Sequence, residues 1–130
     1  MAKRSLVSLV FCFIFLAGGL SLQADKRVFL GERTVTNRGE KDVFVVKGND
    51  WFRKIQFETR RAGVEIFDLK VHYEGGGVQD IEVKSFIEPG SWSREIDLNG
   101  GERRIEKVVF TYRASPKGRR QAVVRLYGIR

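Results

Sequence analysis

Beyond residue 24, almost every segment of the chain alternates apolar and polar residues with period two, and none sustains the 3.6-residue period of an amphipathic helix. Residues 42–47 carry Val43, Phe44, Val45 and Val46 and predict a short buried strand. Over residues 53–59, Ile55 and Phe57 share one face while Lys54, Gln56 and Glu58 share the other. Phe67, Leu69, Val71 and Tyr73 form the apolar set of the next strand. Val64 and Ile66 have the opposite parity, so a bulge or a sheet-switching bend is expected at Ile66-Phe67.

Gly75-Gly76-Gly77 reads as a turn, after which Ile81 and Val83 alternate with Asp80, Glu82 and Lys84. Pro89-Gly90 closes that stretch. Residues 92–98 predict a strand with Ile96 and Leu98 inward, and Asn99-Gly100-Gly101 is a hairpin signal. Residues 105–113 place Val108, Phe110 and Tyr112 on one face. Pro116-Lys117-Gly118 then turns the chain into a last strand over 122–129. Short strands separated by Gly, Asn and Pro turns predict an all-β fold, an antiparallel β-sandwich of about eight strands, jelly-roll-like, with a partly closed barrel as the alternative. Residues 54–60 echo residues 107–113 in their Lys, apolar, Phe and Arg positions. Two core strands obeying one alternation account for this echo.

The first residues follow another rule. Lys3 and Arg4 precede an apolar run over 6–17, Gly18 and Gly19 interrupt it, and Leu22-Gln23-Ala24 offers a cleavage triplet. This is the order of a secretory signal, and the run is too short for a spanning helix of about 20 residues. Residues 1–24 are therefore read as a signal peptide and 25–130 as a single β-sandwich domain, periplasmic or secreted, with no integral membrane segment after cleavage. Cys12, the single cysteine, leaves with the signal. It lies inside the apolar run, which disqualifies it as a lipid-attachment site. Apolar burial must then hold the mature domain without disulfides.

The composition restricts the chemistry. A Ser–His–Asp device needs a histidine that accepts and returns a proton, and the one histidine, His72, has polar parity beside Lys70 and Glu74. Asp68, Glu74, Asp80, Glu82, Glu95 and Asp97 read as a solvated charged face. Zinc lacks its usual His and Cys donors, the Asp97-to-Gly100 stretch is explained by a hairpin, and Gly75-Gly76-Gly77 lacks the Lys-Ser/Thr of a phosphate loop. No catalytic residue, metal or cofactor is expected.

The chain carries a formal net charge of +8, which removal of Lys3 and Arg4 lowers by two. Its basic clusters, Arg60-Arg61, Arg103-Arg104 and Lys117 with Arg119 and Arg120, stand near predicted turns. An exported protein meets anionic envelope surfaces rather than nucleic acid. Trp-x-Arg occurs twice, as Trp51-Phe52-Arg53 and Trp92-Ser93-Arg94. Residues two apart on a strand share a face, so each Arg is expected beside its Trp, where an aromatic platform can stack a sugar or hold an anion. Parity assigns the indoles to the ends of the core, Trp51 in phase with Ile55 and Trp92 with Ile96. The candidate ligand-binding residues are Trp51, Arg53, Trp92, Arg94, Arg103, Arg104, Arg119 and Arg120.

Trp51-Phe52-Arg53-Lys54-Ile55, Leu69-x-Val71-x-Tyr73, Ile96-Asp97-Leu98, Val108-x-Phe110-x-Tyr112-Arg113 and Val124-x-Leu126-Tyr127-Gly128, following a signal peptide, resemble a group of short exported bacterial proteins classed as a domain of unknown function. That resemblance implies a periplasmic β-sandwich and transfers no activity. The layout also resembles, at the level of fold, galactose-binding-like jelly rolls, which mostly bind glycans or lipids. The expected function is a non-catalytic envelope module for an anionic polymer, a glycan or an envelope protein. A small hydrolase or transferase is the alternative.

Overall fold

The computed structural model describes residues 26–35, 40–114 and 121–130. The expected signal peptide, the 116–118 turn, Arg119 and Arg120 lie outside them. Eight strands form in chain order: β1 (Arg27–Val35), β2 (Glu40–Val45), β3 (Lys54–Arg60), β4 (Val64–Tyr73), β5 (Val78–Ile87), β6 (Ile96–Asp97), β7 (Ile105–Ala114) and β8 (Ala122–Ile129). They make two antiparallel sheets, one ordered β1-β8-β3-β6 and the other β2-β7-β4-β5. Among the described residues there is no helix, so none is long and apolar enough to cross a membrane.

The core lies between the sheets. Phe57 of the first sheet meets Phe110 and Phe44 of the second at ring-centroid distances of 5.9 and 6.2 Å, and Phe44 stacks on Phe110 at 5.0 Å. The 54–60 and 107–113 echo thus belongs to interior strands of opposite sheets, with the matched phenylalanines in ring contact. Apolar residues at alternate positions drive this, because each sheet buries the face that removes most hydrocarbon from water.

The expected irregularity in β4 is a bulge: its pairings with β5 and β7 both shift register between Ile66 and Asp68. Ile66 and Leu69 are both fully buried, so Phe67 and Asp68 stand between two inward residues. Gly75, Gly76 and Gly77 all have positive φ and close the β4–β5 turn, with Tyr73 N–H donating to Gly77 O at 3.0 Å.

Two expectations are corrected. Residues 99–101 do turn, but β6 pairs with β3 and β7 with β4 and β2, so the turn carries the chain from one sheet to the other. The strand expected over 92–98 is regular only at Ile96–Asp97. Its earlier part still follows the edge of β3, with Thr59 N–H donating to Ser91 O at 3.1 Å and Ser93 N–H to Phe57 O at 2.8 Å.

Candidate ligand-binding surface

Both tryptophans are displaced from the core by a break in alternation just after them. Phe52 and Ile55 are both inward, three positions apart, so the parity carried back from Ile55 fails at Trp51. Phe52 is 1% exposed and Trp51 is 53% exposed. Gly128 of β8 makes room for Phe52, since a Cβ there would stand 2.6 Å from Phe52 Cδ1. Ser93 and Ile96 repeat the pattern, leaving Ser93 buried and Trp92 39% exposed. Ser93 Oγ accepts from Phe57 N–H at 2.9 Å and donates to Arg94 O at 2.8 Å, a local bond that holds the inward serine. The indoles therefore do not cap the core, contrary to the parity expectation.

The arginines standing over the indoles also differ from those two residues along. Phe52 and Arg103 exchange backbone hydrogen bonds at 2.8 and 2.7 Å, which brings Trp51 alongside Arg104. The Arg104 Cζ lies 5.8 Å from the Trp51 ring centroid, and its Nη2 donates to Asn49 Oδ1 at 2.6 Å. Its Nε is buried without an acceptor among the described residues. Arg53 Nη2 donates to the backbone oxygen of Arg130 at 3.0 Å, and the Arg130 guanidinium pairs with Asp50 at 2.9 Å. Asn49, Asp50, Trp51, Gly100, Glu102 and Arg130 line an open groove of about 620 Å³.

Of the candidates, Trp51, Arg53 and Arg104 thus gather at one end of the sandwich. Arg103 turns away. Its Cζ stands 3.8 Å from the Tyr73 ring centroid and its Nη1 donates to Asn99 O at 2.9 Å. Burial raises the pKa of the Tyr73 phenol, against the lowering influence of Asn99 and Arg103. Asn49, Asp50 and Arg130 were invisible to motif reading, because only the fold brings residue 130 beside residue 50.

Trp92 stands on the outer face of the first sheet, bridged through its backbone to Glu58. Its ring lies 5.0 Å from Tyr127, which lies 5.6 Å from Phe29. Arg27 covers the Trp92 ring at 4.2 Å. Arg94 is separated from this cluster, its Nη1 donating at 3.4 Å to Val83 O of the other sheet. Glu58 accepts from Tyr127 Oη at 3.3 Å and pairs with Arg60 at 3.3 Å.

On the second sheet, Lys70 pairs with Asp80 at 2.6 Å. Burial and a hydrogen bond to Asp80 raise the Asp68 pKa, while hydrogen bonds from Lys70 and Asp68 lower that of Asp80. Among the described residues, no three or more His, Cys, Asp or Glu side chains are grouped to hold a metal ion.

A two-sheet sandwich with an aromatic and basic surface suits many families, and the sequence match is what decides among them. A family model described as a domain of unknown function, DUF2541, matches residues 7–128. The chain belongs to the DUF2541 family. No curated protein matches it. The DUF2541 match accords with the first of the two resemblances in the sequence and gives no support to the galactose-binding likeness.

Proposed function

We propose that this DUF2541 protein is an exported, non-catalytic module that binds an acidic glycan in the groove beside Trp51. Export rests on the signal-like pattern of residues 1–24. The observation that carries the binding reading is the half-exposed indole at the mouth of a polar groove. Its neighbours offer both hydrogen-bond donors and acceptors, which suits hydroxyl-rich rings. Arg104 over the Trp51 ring and Arg130 in the groove wall supply cationic donors for a ligand's carboxylates, beside the acids Asp50 and Glu102.

Calorimetric titration with an oligomer of galacturonic acid tests this reading. Binding is expected at low salt, weakening as salt rises. Arg104→Ala and Trp51→Ala are each expected to weaken it about tenfold, the equivalent of roughly 1.4 kcal/mol. Absence of binding at low salt contradicts the proposal, and turnover of the oligomer would replace it with the hydrolase or transferase alternative.

A further inference from the structure

The outer face of the first sheet departs from what a two-layer sandwich predicts. Outward side chains normally meet water, yet outward Gln56 and Glu58 are each only 7% exposed. The rings of Trp92, Tyr127 and Phe29 lie among them instead, with Phe29 53% exposed. Gln56 sits opposite Tyr127 across the strands, and its Nε2 donates to Ser93 O at 2.8 Å. Its Oε1 is buried with no donor among the described residues. Such an acceptor is costly to leave unpaired.

Gln56 Oε1 and Arg104 Nε are the buried side-chain polar atoms without partners among the described residues. One is an acceptor on the outer face and the other a donor at the end groove. The two places are linked through the backbone of the first sheet. Arg53 N–H donates to Ile129 O at 2.8 Å, and Arg130 N–H donates to Lys26 O at 3.0 Å, so Arg53 and the groove residue Arg130 adjoin the ends of strands β3, β8 and β1. The next row is Arg27, Ile129 and Lys54, and beyond it lies Phe29, Tyr127 and Gln56. From Lys54 to Glu58, whose backbone bridges Trp92, the strip runs roughly 13 Å at the usual rise of a strand.

We propose that the ligand is a chain long enough to run from the Trp51 groove onto this outer face, where Trp92, Tyr127, Phe29 and Arg27 form a second subsite. This rests on the acidic-glycan reading of the groove and extends the bound part of the glycan from the groove to a second subsite. Charge selects the occupant. Glu58 is held by Arg60 and Glu32 by Arg125 at 2.8 Å, so the acids of this face are neutralised. Arg27 has no ion pair among the described residues and lies over the Trp92 ring. A carboxylate-bearing ring stacked on that indole pairs with the displaced guanidinium.

The test compares a dimer and an octamer of galacturonic acid by calorimetry on the mature protein. The octamer is expected to bind at least tenfold more tightly than the dimer, as linked subsites do. Trp92→Ala should remove most of that gain, whereas Trp51→Ala should weaken binding of both oligomers. Phe29→Ser, at an exposed position, is a second variant expected to act like Trp92→Ala. An octamer affinity that survives Trp92→Ala and Phe29→Ser overturns the second subsite while leaving the groove intact. Failure of both oligomers to bind the unaltered protein overturns the groove reading and the extended site with it. A concentration-dependent dimer abolished by Trp92→Ala would assign the face to a second copy and also overturn the proposal.

Discussion

Gly128 lacks a side chain where Phe52 needs the space, and this contact decides where Trp51 points. With Phe52 seated against β8, the indole one position earlier faces out. Gly128→Ala is expected to destabilise the fold by about 1–3 kcal/mol through overpacking, read as a lower urea midpoint with an unchanged slope. A variant as stable as the parent would show that Phe52 is not seated as described. The same contact explains why the indoles were misplaced by parity. Alternation carried back from Ile55 and Ile96 assumes an unbroken strand, and nothing in Trp51-Phe52-Arg53 or Trp92-Ser93-Arg94 announces the break. A phenylalanine adjacent to the tryptophan was the available hint, because it competes for the inward place. The serine in the second motif gives no such hint, since its burial depends on hydrogen bonds to Phe57 and Arg94.

At the scale of strands, the bulge in β4 was legible because two apolar parities meet at Ile66-Phe67, which no regular strand satisfies on one face. Strand β1 was not assigned from its sequence. Its register shifts between Phe29 and Gly31, and exposed Phe29 interrupts the inside-out pattern. The turn at 99–101 was legible as a turn, but turn residues fix local φ and do not say which sheet receives the next strand. The paired strands β4 and β5 also carry a testable charge arrangement. Asp68 has a folded pKa raised above its ordinary value of 3.8, first by burial and then by Asp80. Its contribution to stability is therefore present below that value and lost as pH rises through the folded pKa. Asp80 runs the other way, its depressed pKa contributing stability that is lost as pH falls through it. Asp68→Asn is accordingly expected to raise the melting temperature at neutral pH and to lose that advantage on acidification. Asp80→Asn is expected to lower it at neutral pH. Melting curves at neutral and acid pH check both, and an Asp68→Asn gain confined to acid would contradict the assignment.

For the molecule as a whole, alternation was enough to indicate two antiparallel sheets, because a cysteine-free domain of this size must bury one face of nearly every strand. The binding surface was only partly legible. Trp51, Arg53 and Arg104 are read from motifs and do come together, whereas Arg130, Tyr127, Phe29 and Arg27 join the surface through strand pairing between distant segments. Export belongs at this scale too. Protein recovered from the envelope fraction of the expressing cell is expected to begin at Asp25, which intact-mass measurement reads directly. A cytosolic product retaining Met1 would contradict the signal-peptide reading.

The claim that Trp51 is a ligand platform is tested most directly by its own fluorescence. The chain has two tryptophans, so Trp92→Phe leaves Trp51 as the sole indole. Its emission is expected to be red-shifted and readily quenched by acrylamide, then to shift to the blue and resist quenching as galacturonic acid oligomer is added at low salt. Emission and quenching that stay constant throughout the titration would contradict the account.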